Sequence, residues 1–337
     1  WQTGSLRSGA CRYRFLVATI TGPAGSLFEA SPPMSHPALH TLGEVKRAGL
    51  QPESVRDELR RNLRDRLRRG DTDFPGIVGY EHTVLPALQN AILSRHSIIL
   101  LGLRGQAKTR LARSLVNLLD EWSPVIAGSP LNCHPLAPRC AYAKRLVAEQ
   151  GDETPITWRH RRDRYHEKLA TPDVTMGDLI GDLDPIKAAR ERRDLTDEEV
   201  IAYGIIPRSN RGIFAINELP DLQARIQVGL LNILEENDLQ IRGFPVRIPL
   251  DVVLIFTANP EDYTNRGNLI TPLKDRIDSQ ILTHYPRSLE QARQITWQEA
   301  WTERETPVPM PDYFQNILES LAFVARESEL VDKSSGV

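Results

Sequence analysis

Short apolar runs alternate along the chain with longer amphipathic segments, a pattern that predicts buried strands separated by helices. Four runs are rich in Ile, Val, Leu and Phe and are too short for a helix, as expected for strands that are buried on both faces. They lie in the segments HSIILL (96–101), GIFAINE (212–218), DVVLIFTAN (251–259) and DSQILTHYP (278–286). Strands that alternate with helices in this order predict an α/β fold built on a parallel sheet.

Helical periodicity marks several of the other segments. From about residue 44 to 69, apolar residues recur every fourth position and predict one helix that ends at Gly70. Residues 221–237 predict a second amphipathic helix, and residues 239–250 predict a β-hairpin. After Pro286 the pattern is helical throughout. The apolar positions of the first helix are Val55, Leu59, Leu63 and Leu67.

These patterns predict a large α/β domain, a small helical domain and an N-terminal extension. Residues 44–286 are expected to form the α/β domain, interrupted at about 123–172 by a proline-rich insert that is predicted to be irregular. Residues 287–337 are expected to form a small helical domain that is truncated. Residues 1–43 are expected to be an extension that belongs to neither domain.

The first 33 residues differ from the rest of the chain in their pattern of apolar and polar positions. The segment CRYRFLVATITGPAGS has the basic flank, apolar run and small residues of a short signal sequence. The first methionine is Met34, however, and the orderly pattern begins only after it. We therefore interpret these residues as upstream sequence, with a targeting segment as the alternative.

Composition narrows the class of protein. The 337 residues are 40% hydrophobic and carry a formal net charge of −2, which is compatible with a real core and gives no bulk attraction to a polyanion. Three cysteines are too few for a disulfide scaffold and fit a reducing compartment. No apolar run reaches the roughly 18–20 residues needed to cross a bilayer. A cytoplasmic protein is expected.

The segment GLRGQAKTR (102–110) lies between the predicted strand at 96–101 and a predicted helix at 108–119. This is the context of a phosphate-binding loop, in which backbone N–H groups and a lysine bind phosphate and a Ser or Thr hydroxyl holds Mg²⁺. The loop pattern requires glycine where this chain has alanine. The predicted nucleotide-binding residues are Gly102, Leu103, Arg104, Gly105, Gln106, Ala107, Lys108, Thr109 and Arg110.

Three further segments place polar residues where a nucleotide-hydrolysing site needs them. The strand GIFAINE ends in Asn217 and Glu218, beside the expected position of Mg²⁺ and the attacking water. The strand LIFTAN ends in Asn259, which could contact the γ-phosphate. The segment TPLKDRIDSQI offers Arg276 to neutralise charge in the transition state.

With these residues assembled, the sequence resembles the AAA+ ATPases of the branch that contains MoxR-type ATPases and the ATPase subunit of magnesium chelatase. The resemblance extends from about residue 74 to 300. FPGIVGYEHTVLPALQNAI, DLIGDLDPIKAA and IIPRSNRGIFAINELPDL are similar to the family's F-x-x-I-V-G-Q-x, V-G-x-L-D-x-x-K-A and A-N-R-G-(I/V)-L-x-x-D-E segments. LIFTANPED and LKDRID are similar to its LI-x-T-x-NPE and LLDRF segments. The resemblance implies a P-loop NTPase (AAA+) parallel sheet flanked by helices, with a small helical lid domain after it.

The resemblance also implies a role for each candidate residue. Glu218 would activate the attacking water and lie near Mg²⁺, and Asn259 would sense the γ-phosphate. Arg276 would act on the site of a neighbouring subunit in a ring, expected to be a hexamer. Arg208 and Arg211 are candidate arginines of the ring interface. The residues expected around the ATP phosphates are Gly102, Gly105, Lys108 and Thr109, of which the last would also hold Mg²⁺.

Two departures from the family pattern bear on activity. Ala107 replaces a glycine of the loop, and Asn217 replaces the usual aspartate before Glu218. An amide oxygen can accept a hydrogen bond from a metal-bound water, but it carries no negative charge. ATP binding is therefore expected, whereas Mg²⁺ is expected to bind less well and hydrolysis to be slow or lost.

Two other groups of residues suggest alternative sites. Cys133, His134 and Cys140, with His160 and His166 downstream, could form a zinc site. The cysteine spacing is not that of a C-x-x-C knuckle and a fourth thiol is absent, so incidental cysteines in the insert are favoured. The segment WRHRRDRYH (158–166) mixes aromatic residues with arginines, as nucleic-acid binders do, and the first predicted helix is rich in arginine. A solvated surface or a contact within a ring is the favoured interpretation of both.

The function expected from the resemblance is an ATP-driven AAA+ motor that remodels or activates a partner protein, which in this branch commonly has a von Willebrand A-type domain. One alternative is a magnesium chelatase ATPase subunit in tetrapyrrole biosynthesis. A second is an ATP-gated scaffold that does not hydrolyse the nucleotide. A third is an ATPase associated with DNA or RNA, which would be stimulated by nucleic acid.

Overall fold

Five parallel strands form the central sheet of the computed structural model. In spatial order they are Ser279–Leu282 (β11), Ile98–Leu101 (β1), Val252–Ala258 (β10), Gly212–Asn217 (β7) and Tyr165–Leu169 (β4). The structure describes residues 37–71, 74–194, 197–241, 247–259, 269–300, 311–328 and 330–331.

The other described strands form antiparallel pairs, and helices fill the segments between strands. The pairs are Trp122–Ile126 (β2) with Ile156–His160 (β3), Gly181–Leu183 (β5) with Ile201–Tyr203 (β6), and Asp238–Gln240 (β8) with Arg247–Pro249 (β9). The α-helices are Leu42–Arg47 (α1), Val55–Arg68 (α2), Val84–Leu93 (α3), Lys108–Ser114 (α4), Ala141–Gln150 (α5), Met176–Leu179 (α6), Pro185–Glu191 (α7), Ile205–Arg208 (α8), Ala224–Glu236 (α9), Thr271–Arg276 (α10), Leu289–Ala300 (α11) and Asp312–Glu327 (α12). Short 3₁₀ helices span Leu115–Leu118, Gly151–Glu153, Arg161–Arg164, Glu198–Val200 and Leu219–Asp221.

The structure confirms the four predicted strands and the parallel sheet. The register aligns the carboxyl ends of three strands, because Leu101 of β1 lies opposite Ala258 of β10 and Leu282 of β11. On the other side of β10, Phe256 lies opposite Ile216 of β7. The loops that follow β1, β10 and β7 therefore meet at one edge of the sheet, where ligands of open α/β sheets bind.

Each face of the sheet packs against its own apolar core. One face carries Val253 and Ile255 of β10 and is covered by helices α2, α3 and α4. The opposite face carries Leu254 and Phe256 and is covered by α9, α10 and the small antiparallel pairs. Burial on both faces explains why β10 is a continuous apolar run in the sequence.

The segment at 123–172, predicted to be irregular, is largely ordered, so this prediction is wrong. It contains β3, helix α5 and strand β4, and β4 pairs with β7 in the central sheet. The sequence YHEKL of β4 lacks the apolar run of the inner strands, because β4 is an edge strand and its residues are half-buried or exposed. The resemblance of 158–166 to a solvated loop hid this strand.

Two predicted helices also differ from those observed. The single helix predicted from about residue 44 to 69 is two helices, α1 and α2. Gly49 adopts φ 71° after α1, and the Ser54 side chain caps α2 by accepting a hydrogen bond from the Asp57 N–H. The helix predicted at 108–119 is α4 followed by a 3₁₀ turn, Leu115–Leu118.

The segment after Pro286 is helical where it is described, as predicted, in α11 and α12. Helix α12 packs against α11 through polar residues: Gln315 Nε2 donates to the Arg293 carbonyl at 3.1 Å, and Thr296 donates to Glu319. No helix within the described ranges is long and apolar enough to cross a membrane. Residues 1–36 and 260–268, which include the signal-like segment and the Pro-Glu-Asp of the NPE-like motif, lie outside those ranges.

A buried ion pair ties helix α2 to the beginning of the sheet. Arg164, just before β4, makes two parallel hydrogen bonds to Glu58 of α2, at 2.7 and 2.6 Å. Their side chains are 1% and 5% exposed. The Arg164 Nε donates to the Arg211 carbonyl, and Glu58 accepts from the Asp120 N–H. The pair is thus fully enclosed and joined to the backbone on both sides.

We expect Glu58→Leu to lower the free energy of unfolding by about 3–5 kcal/mol, because it leaves the Arg164 guanidinium buried without a counter-charge. The double variant Glu58→Leu/Arg164→Met removes both charges and should be more stable than the single variant. Urea denaturation of the three proteins tests this expectation. A single variant within about 1 kcal/mol of the parent would contradict it.

Candidate functional site

The loop after β1 has the backbone shape of a phosphate-binding loop. Its first residue, Gly102, donates its N–H to the Ala258 carbonyl at 3.1 Å and so extends the β1–β10 pairing. A Cβ at Gly102 would lie 2.0 Å from Thr283 Oγ1 and 2.2 Å from Gln106 Oε1, so a larger residue would displace both side chains. Gly105 adopts φ 77°. The chain then turns into α4 at Lys108, as the sequence predicts.

Residues outside the motif hold the loop in place. Gln106 is buried and its Oε1 accepts a hydrogen bond from Thr283 Oγ1 at 2.8 Å, beneath Gly102. The Tyr80 hydroxyl lies 2.9 Å from the Gln106 carbonyl and 2.8 Å from the His284 carbonyl. The Tyr285 hydroxyl donates to the Arg104 carbonyl at 2.8 Å. The loop is therefore preorganised by its neighbours.

Sequence reasoning missed Tyr80, Thr283 and Tyr285, because no loop motif includes them. Tyr80 lies in the IVGY segment and the other two in the LTHYP segment, some 200 positions apart in the chain. Burial raises the pKa of Tyr80 to about 12. Its hydroxyl therefore stays protonated at neutral pH and can donate a hydrogen bond to the loop. The only sequence signal was polar or aromatic residues directly after a predicted strand.

Lys108 lies across the mouth of its own loop. Its Nζ donates to the carbonyls of Gly102 and Leu103, at 2.5 and 2.7 Å. A lysine ammonium has three donors in a flexible geometry, so it can exchange these carbonyls for phosphate oxygens. Thr109, next in α4, is half-buried at the same end of the helix.

Ala107 adopts the left-handed conformation that the glycine of the pattern would adopt. Its φ and ψ are 53° and 20°, at the position directly before α4. The alanine therefore preserves the loop geometry and bears the conformational strain, which costs on the order of 1–2 kcal/mol for a residue with a Cβ.

We expect Ala107→Gly to raise the free energy of unfolding by about 0.5–1 kcal/mol, because relief of this strain exceeds the extra chain entropy of glycine when unfolded. Urea denaturation measures the change. Ala148→Gly, at an exposed position within α5, is the matched control and should be destabilising by a similar amount. Destabilisation by both substitutions would show that residue 107 is unstrained.

Asn217, Thr257 and Asn259 lie at the carboxyl edge on the face of the sheet that α4 covers. Side chains of a strand alternate between its faces, and Ala215 and Ile255, two positions before Asn217 and Thr257, share one core with Leu111 of α4. Asn259 is 4% exposed. The structure thus brings the ends of β7 and β10 beneath the helix that begins with Lys108. The residues that establish this face are Ile213, Ala215, Val253 and Ile255.

Glu218 follows directly and turns the chain sharply. It adopts φ 57° and ψ 48°, and its N–H donates to Thr257 Oγ1 at 3.1 Å. The same hydroxyl lies 3.2 Å from Asn217 Oδ1. Within the described part of the chain, the half-buried Glu218 carboxylate has no hydrogen bond or ion pair. It is therefore available to contact a ligand or a water molecule.

The structure does not bring Arg276 to this edge. It ends α10, three residues before Ser279, and Ser279 pairs with Ile98 at the amino end of the strands. Its guanidinium bonds to Glu235 and donates to the Pro272 carbonyl at 2.9 Å. Arg276 thus lies near the amino edge of the sheet, whereas the phosphate loop of the same chain lies at the carboxyl edge.

The two arginines predicted for a ring interface have different environments. Arg208 is exposed at the end of α8. Arg211, by contrast, packs inside the protein at the amino end of β7, where its guanidinium donates to Ser123 Oγ at 3.1 Å and its N–H donates to the Asp251 carbonyl at 2.7 Å. Burial lowers the pKa of Arg211. Its contacts are those of a structural residue.

A cavity of about 70 Å³ lies beside the loop. It is closed on one side by α11, where Gln298 Nε2 donates to the Gly76 carbonyl at 3.0 Å and Glu299 forms an ion pair with Arg110 of α4. Helix α11 therefore contacts both the segment before α3 and the loop helix. The lining includes Ile77, Val78, Tyr80, Gln106, Ala107, His284, Pro286 and Ile295.

The cysteines of the suggested zinc site are adjacent and buried. Their Sγ atoms are 3.5 Å apart, and the Cys133 Sγ accepts from the Arg139 N–H. His134 Nδ1 instead accepts from the Leu136 N–H at 3.1 Å. No cluster of three or more His, Cys, Asp or Glu with metal-binding geometry occurs in the described segments.

Part of the chain matches a family of known proteins. Residues 144–277 match the family model described as AAA domain (dynein-related subfamily). This segment includes Asn217, Glu218, Asn259 and Arg276 and begins after the phosphate loop. Together with the five-stranded parallel sheet flanked by helices, the match shows the AAA+ P-loop NTPase fold that the resemblance predicted.

The chain is also similar to individual proteins and to a solved structure. Magnesium-chelatase subunit ChlI of Nostoc sp. is 27% identical over 254 residues, which cover 73% of this chain and 63% of that protein. The chloroplastic subunit ChlI-1 of Arabidopsis thaliana is 28% identical over 211 residues, covering 60% and 46%. A solved complex of the magnesium chelatase subunits BchI and BchD has a chain of TM-score 0.49 and 22% identity, covering 76% of this chain and 75% of its own. The protein is related to magnesium-chelatase subunit ChlI and spans about half to two-thirds of the length of these relatives.

Proposed function

We propose that this protein binds ATP at the loop after β1, hydrolyses it slowly, and uses the nucleotide cycle to remodel or activate a partner protein. The observation that carries the proposal is the convergence of a preorganised phosphate loop, Gly102–Thr109, with Glu218 and Asn259 at one edge of the sheet. The AAA+ class and the relationship to magnesium-chelatase subunit ChlI support the same function.

Each residue has a role that follows from its position. Backbone N–H groups of the loop and the Lys108 ammonium bind the phosphates. The Glu218 carboxylate accepts the proton of the attacking water, since it has no competing partner in the described structure and lies beside Asn217 at the edge. Asn259, fixed by burial at the end of β10, contacts the terminal phosphate.

The cavity beside the loop is the proposed position of the base of the nucleotide. The segment Gly76–Tyr80 and helix α11 flank it, and the contact between Arg110 and Glu299 joins α11 to the helix that begins with the phosphate-binding lysine. Nucleotide binding would thus be coupled to the position of α11. Residues 287–337 are proposed to be the lid domain of this site.

A neighbouring subunit completes the proposed site. Arg276 lies on the far side of the sheet from its own loop, and a ring of subunits would present it to the next one. The relatives are named as subunits of magnesium chelatase, so each forms one part of a larger assembly. We propose a ring, expected to be a hexamer, and a protein partner with a von Willebrand A-type domain.

The residues at the edge fit a phosphate better than they fit Mg²⁺. Mg²⁺ prefers hard oxygen ligands and is held in such sites by one or two carboxylates together with phosphates. The Thr109 hydroxyl and Glu218 carboxylate meet this requirement, but Asn217 brings an uncharged amide where a second carboxylate is usual. This observation favours, as a second candidate, an ATP-gated switch with little or no turnover.

We expect Lys108→Ala to weaken ATP binding about 100-fold or more, because it removes the positive charge of the loop. Glu218→Gln should leave ATP affinity within about threefold of the parent while lowering steady-state hydrolysis by about 100-fold or more, because the water loses its base. Calorimetric titration and a phosphate-release assay measure the two quantities.

Lys144→Ala on the exposed face of α5 is the control and should match the parent in both assays. Unchanged ATP affinity in Lys108→Ala would contradict the proposal that ATP binds at this loop. ATP binding by a parent without measurable hydrolysis would favour the non-hydrolysing switch over the motor.

A further inference from the structure

The Thr257 hydroxyl determines how the Asn217 side chain is oriented. Thr257 is 2% exposed and lies between the end of β7 and the loop after β1. Its Oγ1 accepts the Glu218 N–H at 3.1 Å and lies 3.2 Å from Asn217 Oδ1. A threonine hydroxyl has a single proton, and Asn217 is the acceptor within reach of it in the described structure.

The opposite orientation of the amide would be unfavourable. If Asn217 Nδ2 faced Thr257, the hydroxyl would receive two N–H groups and its own buried proton would have no acceptor. An unsatisfied buried donor is costly, so the hydrogen-bond network fixes the orientation of the amide. The oxygen of Asn217 is therefore directed to Thr257, and the N–H₂ group takes the remaining position.

The part of the Asn217 side chain that does not face Thr257 is the part that a ligand can contact. An aspartate at residue 217 would use one oxygen for Thr257 and keep the second, with its charge, for a metal ion or its water shell. Asn217 instead presents two N–H donors, which repel a cation and attract a phosphate oxygen. The residue is half-buried on the α4 face of the sheet, and Nδ2 forms no hydrogen bond with any described residue.

The net charge of the side chains at this edge also favours a phosphate over a cation. Among the edge residues Lys108, Thr109, Asn217, Glu218 and Thr257, the side chains carry one positive and one negative charge, whereas an aspartate would leave a net charge of −1. A metal-free nucleoside triphosphate carries several negative charges that Mg²⁺ normally offsets. Replacing a carboxylate by an amide donor removes repulsion that the ion would otherwise have to screen.

We propose that this site binds a nucleoside triphosphate without requiring a divalent cation, with the Asn217 N–H₂ group donating to a phosphate oxygen. The proposal rests on the proposed function of the loop and specifies its cofactor requirement. Thr257 is the positioning residue, because its hydroxyl holds the amide oxygen away from the phosphate.

The test is calorimetric titration of ATP into the protein, once with EDTA and once with excess MgCl₂. For the parent we expect dissociation constants that agree within about threefold. Asn217→Asp should weaken metal-free binding about tenfold or more and restore a clear dependence on Mg²⁺, because it replaces a donor by a charge of the wrong sign.

The Thr257 variants test the positioning role separately. Thr257→Val keeps the shape but removes the proton donor, and should weaken metal-free ATP binding about three- to tenfold. Thr257→Ser keeps the hydroxyl and should resemble the parent. Equal metal-free affinities in Thr257→Val and Thr257→Ser would overturn this role, with urea denaturation confirming that both variants are folded.

The outcomes separate this inference from the proposed function. If the parent binds ATP only with Mg²⁺ and Lys108→Ala binds it in neither condition, the inference fails and the nucleotide site stands. If the parent binds ATP in neither condition, both fail. Metal-free binding that Lys108→Ala abolishes and Asn217→Asp weakens would support both.

Discussion

The register of β10 between β1 and β7 is the constraint on which the candidate site depends. Because Leu101 pairs with Ala258 and Phe256 pairs with Ile216, the phosphate loop, the end of β10 and the end of β7 meet at one level. A slip of one residue in either pairing would turn side chains to the opposite face. The separate apolar cores on the two faces of the sheet oppose such a slip.

The loop gains its shape from contacts that are distant in sequence. The space beneath Gly102 is filled by two hydrogen-bonded side chains, those of Gln106 and Thr283, so the loop rests on the end of β11 as well as on β1. The tyrosines on either side bond to its carbonyls. A site whose donors are fixed before the ligand arrives loses less conformational entropy on binding.

The sequence predicted the inner strands and the candidate site because both have strong local signals. A strand buried on both faces must be apolar, and a phosphate loop must place Gly and Lys at fixed spacing. Edge strand β4 was missed because one exposed edge permits the polar sequence YHEKL. Tyr80 and Thr283 were missed because their roles depend on which strands become neighbours, and no local pattern records that.

The two departures from the family pattern have different physical consequences. Ala107 adopts the left-handed backbone conformation that glycine adopts more readily, so we expect its effect to be conformational strain. Asn217 retains the hydrogen bond to Thr257 that an aspartate would also make, and so preserves the turn at Glu218. The change concerns the atom that does not face Thr257: an aspartate would present a charged oxygen, which accepts hydrogen bonds, whereas Asn217 presents Nδ2, which donates them. The fold is therefore insensitive to both substitutions, whereas the chemistry of the site is sensitive to the second.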